Sequence, residues 1–139
     1  MGIFLALDYG EKRTGMAVTD INKIIASGLT ALSTKEVIPY LIKYCNNNFV
    51  EKFIVGYPKK NNNQECLVEI KIKDFIKNLK LSLPKIPVVR HDERFTSKIA
   101  SNVILKSGVN KTKRQDKFLV DKVSATILLQ SYLSTHKNI

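Results

Sequence analysis

The chain has 139 residues, 44% hydrophobic and 25% charged, which suits one globular domain with a continuous core and argues against disorder. Lys and Arg number 23 against 12 Asp and Glu, and this net charge of +11 points to a polyanion, nucleic acid or an anionic membrane, as partner. The opening apolar run is far shorter than the roughly 20 residues of a membrane span, and Cys45 and Cys66 lack metal-type spacing, so a reduced, cytoplasmic chain without membrane association is expected.

The apolar run over 3–8 reads as a buried strand that ends in an acid, Asp8. A Tyr9-Gly10 turn and the basic pair Lys12-Arg13 lead to a second strand over 15–20. A third strand over 24–32 follows so closely that both connections are expected to be antiparallel. Thr34 reads as an N-cap for a helix whose apolar stripe is Val37, Ile38, Leu41, Ile42 and Cys45, with Pro39 tolerated only in its first turn. A short strand over 53–55 stops at Gly56-Tyr57-Pro58, and the polar stretch 59–63 reads as a loop.

From 65 to 79, Leu67, Val68, Ile72, Phe75, Ile76 and Leu79 recur at helical spacing. A strand over 88–91 comes next. Thr96 then caps a helix that Gly108 ends, and 109–117 is a basic loop. The last helix runs from about 116 or 118 to 133. Three strands followed by alternating helices and strands describe an α/β fold: a mixed sheet with helices on both faces. One domain over 1–135 and a short tail over 136–139 account for the chain.

Three acids stand out: Asp8 at a strand end, Glu93 just past the strand over 88–91, and Asp121 on the last helix. Strand-end carboxylates in an open α/β sheet project into the crevice where ligands bind. On the last helix, Ser124, Ala125 and Leu128 share the face of Asp121, and the small pair lets that helix press against the sheet. Convergence of the three would give oxygen-only ligation suited to Mg²⁺ or Mn²⁺, and two such ions would serve cleavage of a phosphodiester. The plainer reading stays open: a turn cap, a surface pair of Glu93 with Arg94, and an exposed helix acid.

The segments LALDYGEKRTGMAVTD, IVGYP, HDERFTS and VDKVSATILLQSYL, in this order, resemble the YqgF family, also called RuvX or Holliday-junction-resolvase-like proteins. DYG-x-KR-x-G and DER-[FL]-T carry the resemblance together, and it covers nearly the whole chain. It implies a ribonuclease H-like fold with a five-stranded mixed sheet whose first three strands are antiparallel. It also implies a metal-dependent endonuclease that processes the 5′ end of pre-16S ribosomal RNA. A DNA Holliday junction resolvase and a non-catalytic RNA-binding assembly factor are the alternatives. Asp8, Glu93 and Asp121 match the family's catalytic and metal-binding acids, and Asp92 competes with Glu93 for the second position. Where members commonly carry an acidic-Gly pair after the G-x-P turn, this chain has Asn62-Asn63.

Arg13 and Arg94 follow two of the acids and are expected to rim the site as phosphate contacts, though Arg94 serves equally in a surface ion pair. Lys111, Lys113, Arg114 and Lys117 form a basic loop just before Asp121 and are expected to steer the nucleic acid. His91 reads as a structural strand residue. Tyr9 either stacks on a base or lies over the site. Expected partners are pre-16S ribosomal RNA or branched DNA and ribosomal particles, with the protein a monomer or a homodimer.

Overall fold

Both faces of the first strand are covered, which is why its sequence is apolar at almost every position. The computed structural model describes residues 2–57, 63–92 and 117–135, without the side chains of 63–66 and 92. The strands are β1 (Ile3–Asp8), β2 (Arg13–Thr19), β3 (Ala26–Ser33), β4 (Val50–Tyr57) and β5 (Val88–Asp92). Among the described residues the helices are α1 (Val37–Asn47), α2 (Asn63–Ser82) and α3 (Lys117–Thr135), and a 3-10 turn, Thr34–Glu36, precedes α1.

The five strands form one sheet in the order β3-β2-β1-β4-β5. β2 is antiparallel to both β1 and β3, whereas β4 is parallel to both β1 and β5. This is the mixed sheet expected from the sequence. The carboxyl ends of β1, β4 and β5 therefore lie at one edge, beside the amino end of β2.

Alternation along β1 separates two interiors. Leu5 and Leu7 join Met16, Phe53 and Val55 under α1 and α2, which contribute Val37, Leu41, Ile72, Phe75, Ile76 and Leu79. On the other face, Ala6, Ala17 and Ile54 meet Ala125, Leu128, Leu129 and Tyr132 of α3. Each fully buried leucine or phenylalanine contributes about 1.5–3 kcal/mol over its exposed state.

Several boundaries differ from the sequence-based expectation, each for a physical reason. β3 begins at Ala26 because Asp20 takes the chain before it into a turn. Its Oδ1 accepts the Ile24 and Ile25 amides at 2.8 and 2.9 Å, leaving both isoleucines exposed. Lys23 adopts φ 60° within this turn. Thr34 does not cap α1; its hydroxyl donates to the Gly10 carbonyl instead. Pro39 falls in the first turn of α1, where no helical hydrogen bond is lost. Ile42 and Leu67, expected on the apolar stripes, are exposed at 40% and 60%.

The helix expected between Thr96 and Gly108 lies outside the described residues. Cys45 is half-buried and burial pushes its thiol up, which suits packing rather than reactivity. Among the described residues no helix is long and apolar enough to cross a membrane.

Candidate active site

Asp8 closes β1 at the sheet edge where β4 and β5 also end. It shares the parity of Phe4 and Ala6, so its side chain stands on the α3 face. Its cross-strand partner is Gly15 of β2. Gly15 is where α3 touches the sheet: a Cβ built on it would fall 1.9 Å from the Asp121 carbonyl oxygen and 3.1 Å from the Lys122 nitrogen. Only glycine leaves room for a helix backbone this close. Cβ atoms of a facing pair are about 5 Å apart, so Asp8 Cβ lies within roughly 7 Å of that carbonyl. Asp8 and Asp121 are 113 residues apart in sequence (121 minus 8), and this one contact brings them together.

The Asp121 side chain is only 23% exposed, and Arg13 reaches it from β2, with Nε donating to Oδ2 at 2.8 Å. Burial raises the Asp121 carboxyl above its usual range, and the Arg13 hydrogen bond and charge draw it part of the way back. The guanidinium carbon of Arg13 also stands 5.9 Å from the centre of the Phe118 ring. Arg13, expected from the sequence as a phosphate contact, is paired with Asp121 in this structure.

The turn carrying Gly10 is fixed from beneath. Thr34 gives its hydroxyl proton to the Gly10 carbonyl, so the buried Thr14 is the donor in the 2.9 Å contact between the two hydroxyls. The Thr34 amide donates to the Lys12 carbonyl at 3.0 Å. A Cβ on Gly10 would meet the Arg13 carbonyl oxygen at 2.4 Å, so glycine is required here for backbone reasons.

Tyr9 turns to the opposite face and packs on Phe75, ring centres 5.2 Å apart, away from Asp8. His91 has a structural setting: Nε2 shares a 2.9 Å hydrogen bond with Ser131 Oγ, and the ring meets Tyr132 edge-on. Lys117 opens α3 and is exposed. Glu93, Arg94, Lys111, Lys113, Arg114 and Thr96 lie outside the described residues, as does the Asp92 side chain.

Arg90 received no role from the sequence, yet it ties three elements together behind the site. It pairs with Glu69 of α2 at 2.8 and 3.1 Å and donates to the Val55 and Gly56 carbonyls at the end of β4. Its guanidinium also lies 4.1 Å from the Tyr57 ring centre. An arginine inside an otherwise apolar strand pattern was the available signal, since a buried guanidinium requires partners.

Among the described residues no group of three metal-ligating side chains occurs. Two carboxylates, Asp8 and Asp121, do share this edge. Their all-oxygen chemistry fits a hard divalent cation, and the half-buried Asp121 requires a positive neighbour, here Arg13.

A family model described as "RuvX: Holliday junction resolvase" matches residues 2–135. A protein of Phocaeicola vulgatus named "Putative pre-16S rRNA nuclease" is 49% identical over 139 residues, covering all of both chains. One of Christiangramia forsetii with the same name is 49% identical over 133 residues, 96% of this chain and 98% of that one. Among solved structures, RuvC of T. thermophilus in complex with a Holliday junction substrate superposes with a TM-score of 0.59 at 11% identity, over 98% of this chain and 96% of that one. The Fowlpox virus resolvase bound to Holliday junction DNA gives 0.59 at 16% identity, over 96% and 98%. Sequence and fold agree: this chain belongs to the RuvX family and has the RuvC-like, ribonuclease H-type fold.

Proposed function

We propose that the protein is a divalent-metal-dependent endonuclease of the cytoplasm, acting on phosphodiester bonds of structured RNA at the 5′ end of pre-16S ribosomal RNA. The observation that carries this reading is the Gly15–Asp121 contact, which gathers Asp8 and Asp121 at the carboxyl edge of the parallel strands. The RNA substrate follows from the names of full-length relatives at 49% identity.

Asp8, Asp121 and Glu93 would hold the cation. Glu93 has the parity of Val89 and His91 in the sequence, the residues of β5 on the α3 face. Bound there, Mg²⁺ or Mn²⁺ supplies positive charge to offset the negative charge that builds on phosphate oxygens during displacement. Arg13 positions the Asp121 carboxylate and favours its ionised form, offsetting part of the effect of burial. Arg94, Lys111, Lys113, Arg114 and Lys117 would hold the RNA backbone, which makes binding fall steeply with salt. The unit responsible is 1–135.

The test is purified protein on a pre-16S 5′-end RNA and on a four-way DNA junction, each with Mg²⁺, Mn²⁺ or chelator. Metal-dependent cleavage of the RNA is expected, with Asp8→Asn lowering the rate about a thousandfold while folding and RNA binding persist. Full-rate cleavage by Asp8→Asn overturns the metal role. Cleavage of the junction alone makes the protein a DNA resolvase, and salt-sensitive RNA binding without turnover makes it an assembly factor.

A further inference from the structure

At the opposite end of α3 from Asp121, the structure holds a cavity of about 810 Å³. Its walls include Phe4, Lys23, Ile24, Ile25, Lys52 and Tyr132. We propose that this cavity seats one nucleotide of the RNA strand several positions from the bond that is cut. The proposal rests on the nuclease reading above and adds a second subsite to it.

The cavity brings cations and apolar surface together. Lys52 Nζ donates to the Tyr132 hydroxyl at 3.0 Å and lies 4.8 Å from the centre of the Phe4 ring. Lys23 Nζ stands 5.6 Å from the same ring and pairs with Glu51. Among the described residues, no carboxylate forms an ion pair with Lys52. Phe4 and Tyr132 meet edge-on with ring centres 6.0 Å apart, so two aromatic rings fix where this amine sits.

The facing wall is apolar and held in place. Ile24 and Ile25 are 72% and 61% exposed, and the Asp20 carboxylate fixes both of their amides. Two neighbouring isoleucines left in water on a braced turn suggest a covered surface. A nucleotide matches both halves: its flat base lies against the isoleucines and its phosphate meets Lys52 and Lys23.

Position favours a strand of the substrate over an acidic peptide. Phe4 and Asp8 stand on the same face of β1, four residues or about 13 Å apart. α3 covers β1 between them, so a strand joining the two sites passes around that helix and spans more than this separation, which alone takes about four stacked nucleotides at about 3.4 Å each. A strand engaged at Asp8 could reach the cavity over that longer path, and the phosphate would supply the charge that Lys52 lacks.

The experiment uses the full chain, chelator to block turnover, and RNAs whose single-stranded tails grow one nucleotide at a time on either side of the cleavage point. Wild-type affinity should step up once a tail reaches the cavity, at more than about four nucleotides. Lys52→Gln should abolish the step, weakening long-tailed RNA about fivefold to tenfold and reducing the log–log salt slope by about one. Ile25→Asp, at an exposed position that leaves the core intact, should abolish the step as well. Short-tailed RNA should bind both variants as it binds wild type, and its Mg²⁺-dependent cleavage rate should not change.

If wild type binds RNA but shows no step, or if both variants keep it, the subsite is wrong and the nuclease reading stands. If wild type neither binds nor cuts any RNA, both fail together. Saturation of the cavity by uridine monophosphate or by an acidic peptide, without effect on long-tailed RNA, also overturns the proposal.

Discussion

The two faces of the sheet are built from different materials. Under α1 and α2 the interior is thick, made of Leu5, Leu7, Met16, Phe53 and the large side chains of both helices. Under α3, Ile54, Leu128, Leu129 and Tyr132 also fill the interior, but Ala6, Ala17 and Ala125 thin it, and at Gly15 nothing separates the layers. Large side chains keep a helix at a distance and stabilise through buried area. Small ones give up that area and allow backbones to approach. The thick face therefore buries the larger apolar area, and the thin face fixes where Asp121 stands relative to Asp8.

Gly15→Ala should break this division most severely. The new methyl group would collide with the Asp121 carbonyl at 1.9 Å, a backbone atom that cannot swing aside. Overpacking here should cost about 3 kcal/mol. Displacing Asp121 by about 1 Å should lower the cleavage rate about a hundredfold even in the folded fraction. Urea denaturation and single-turnover cleavage on the same preparation measure the two losses. A folded variant with wild-type turnover would show that α3 does not set the site.

Leu41→Ala tests the thick face. Leu41 is fully buried among the residues under α1. Its truncation should cost about 2–5 kcal/mol in urea denaturation, while turnover per folded molecule stays within about twofold of wild type. A large fall in turnover would mean that the two faces are coupled.

Gly28→Ala is the milder counterpart of Gly15→Ala on the same face. Its methyl group would meet Lys122 Cγ at 2.8 Å and Thr126 Oγ1 at 3.2 Å, side-chain atoms of which the lysine can move. The cost should be about 1 kcal/mol, at the low end for overpacking, with turnover nearly unchanged. The ratio between the two glycine variants measures how sharply the site depends on one point of contact.

Much of this arrangement was legible in the sequence. An apolar run ending in Asp8 can hardly be anything but a buried strand with an acid at its exit, and the small pair beside Asp121 correctly announced a closely packed helix. The contact itself was harder to read, because Ala125 was visible as the helix's part and Gly15 as the sheet's part was not. A glycine inside a strand pattern is the signal for close backbone approach. Nothing local could pair Arg13 with Asp121, since 108 residues separate them and the sheet makes the pair. Arg90 was missed for the same reason, its partners lying on α2 and β4. Ile24 and Ile25 misled in the other direction: β-branched residues next to a strand read as strand, until Asp20 claims their amides.

That same aspartate gives the smallest effect, and it lies in the turn after β2, at the end of that strand remote from Gly15. The Ile25 and Ile24 amides hold the Asp20 carboxyl below its ordinary range, because both bonds favour the ionised form. A carboxyl lower in the folded than in the unfolded chain adds stability above the unfolded value, near 4. The contribution is lost as pH falls through the folded value, since the folded state must then give up bonds that the unfolded state never had. Asp20→Asn keeps an acceptor for both amides and removes the charge. Wild type should therefore have a slightly higher Tm than Asp20→Asn from pH 5 to pH 8, a gap that closes below about pH 4. Cleavage of short-tailed RNA should be unaffected, because the turn lies at the far end of β2 from Gly15. A gap that instead widens in acid would mean the amides are not bound to an ionised carboxylate, and the braced turn beside the Phe4–Lys52 cavity would lose its support.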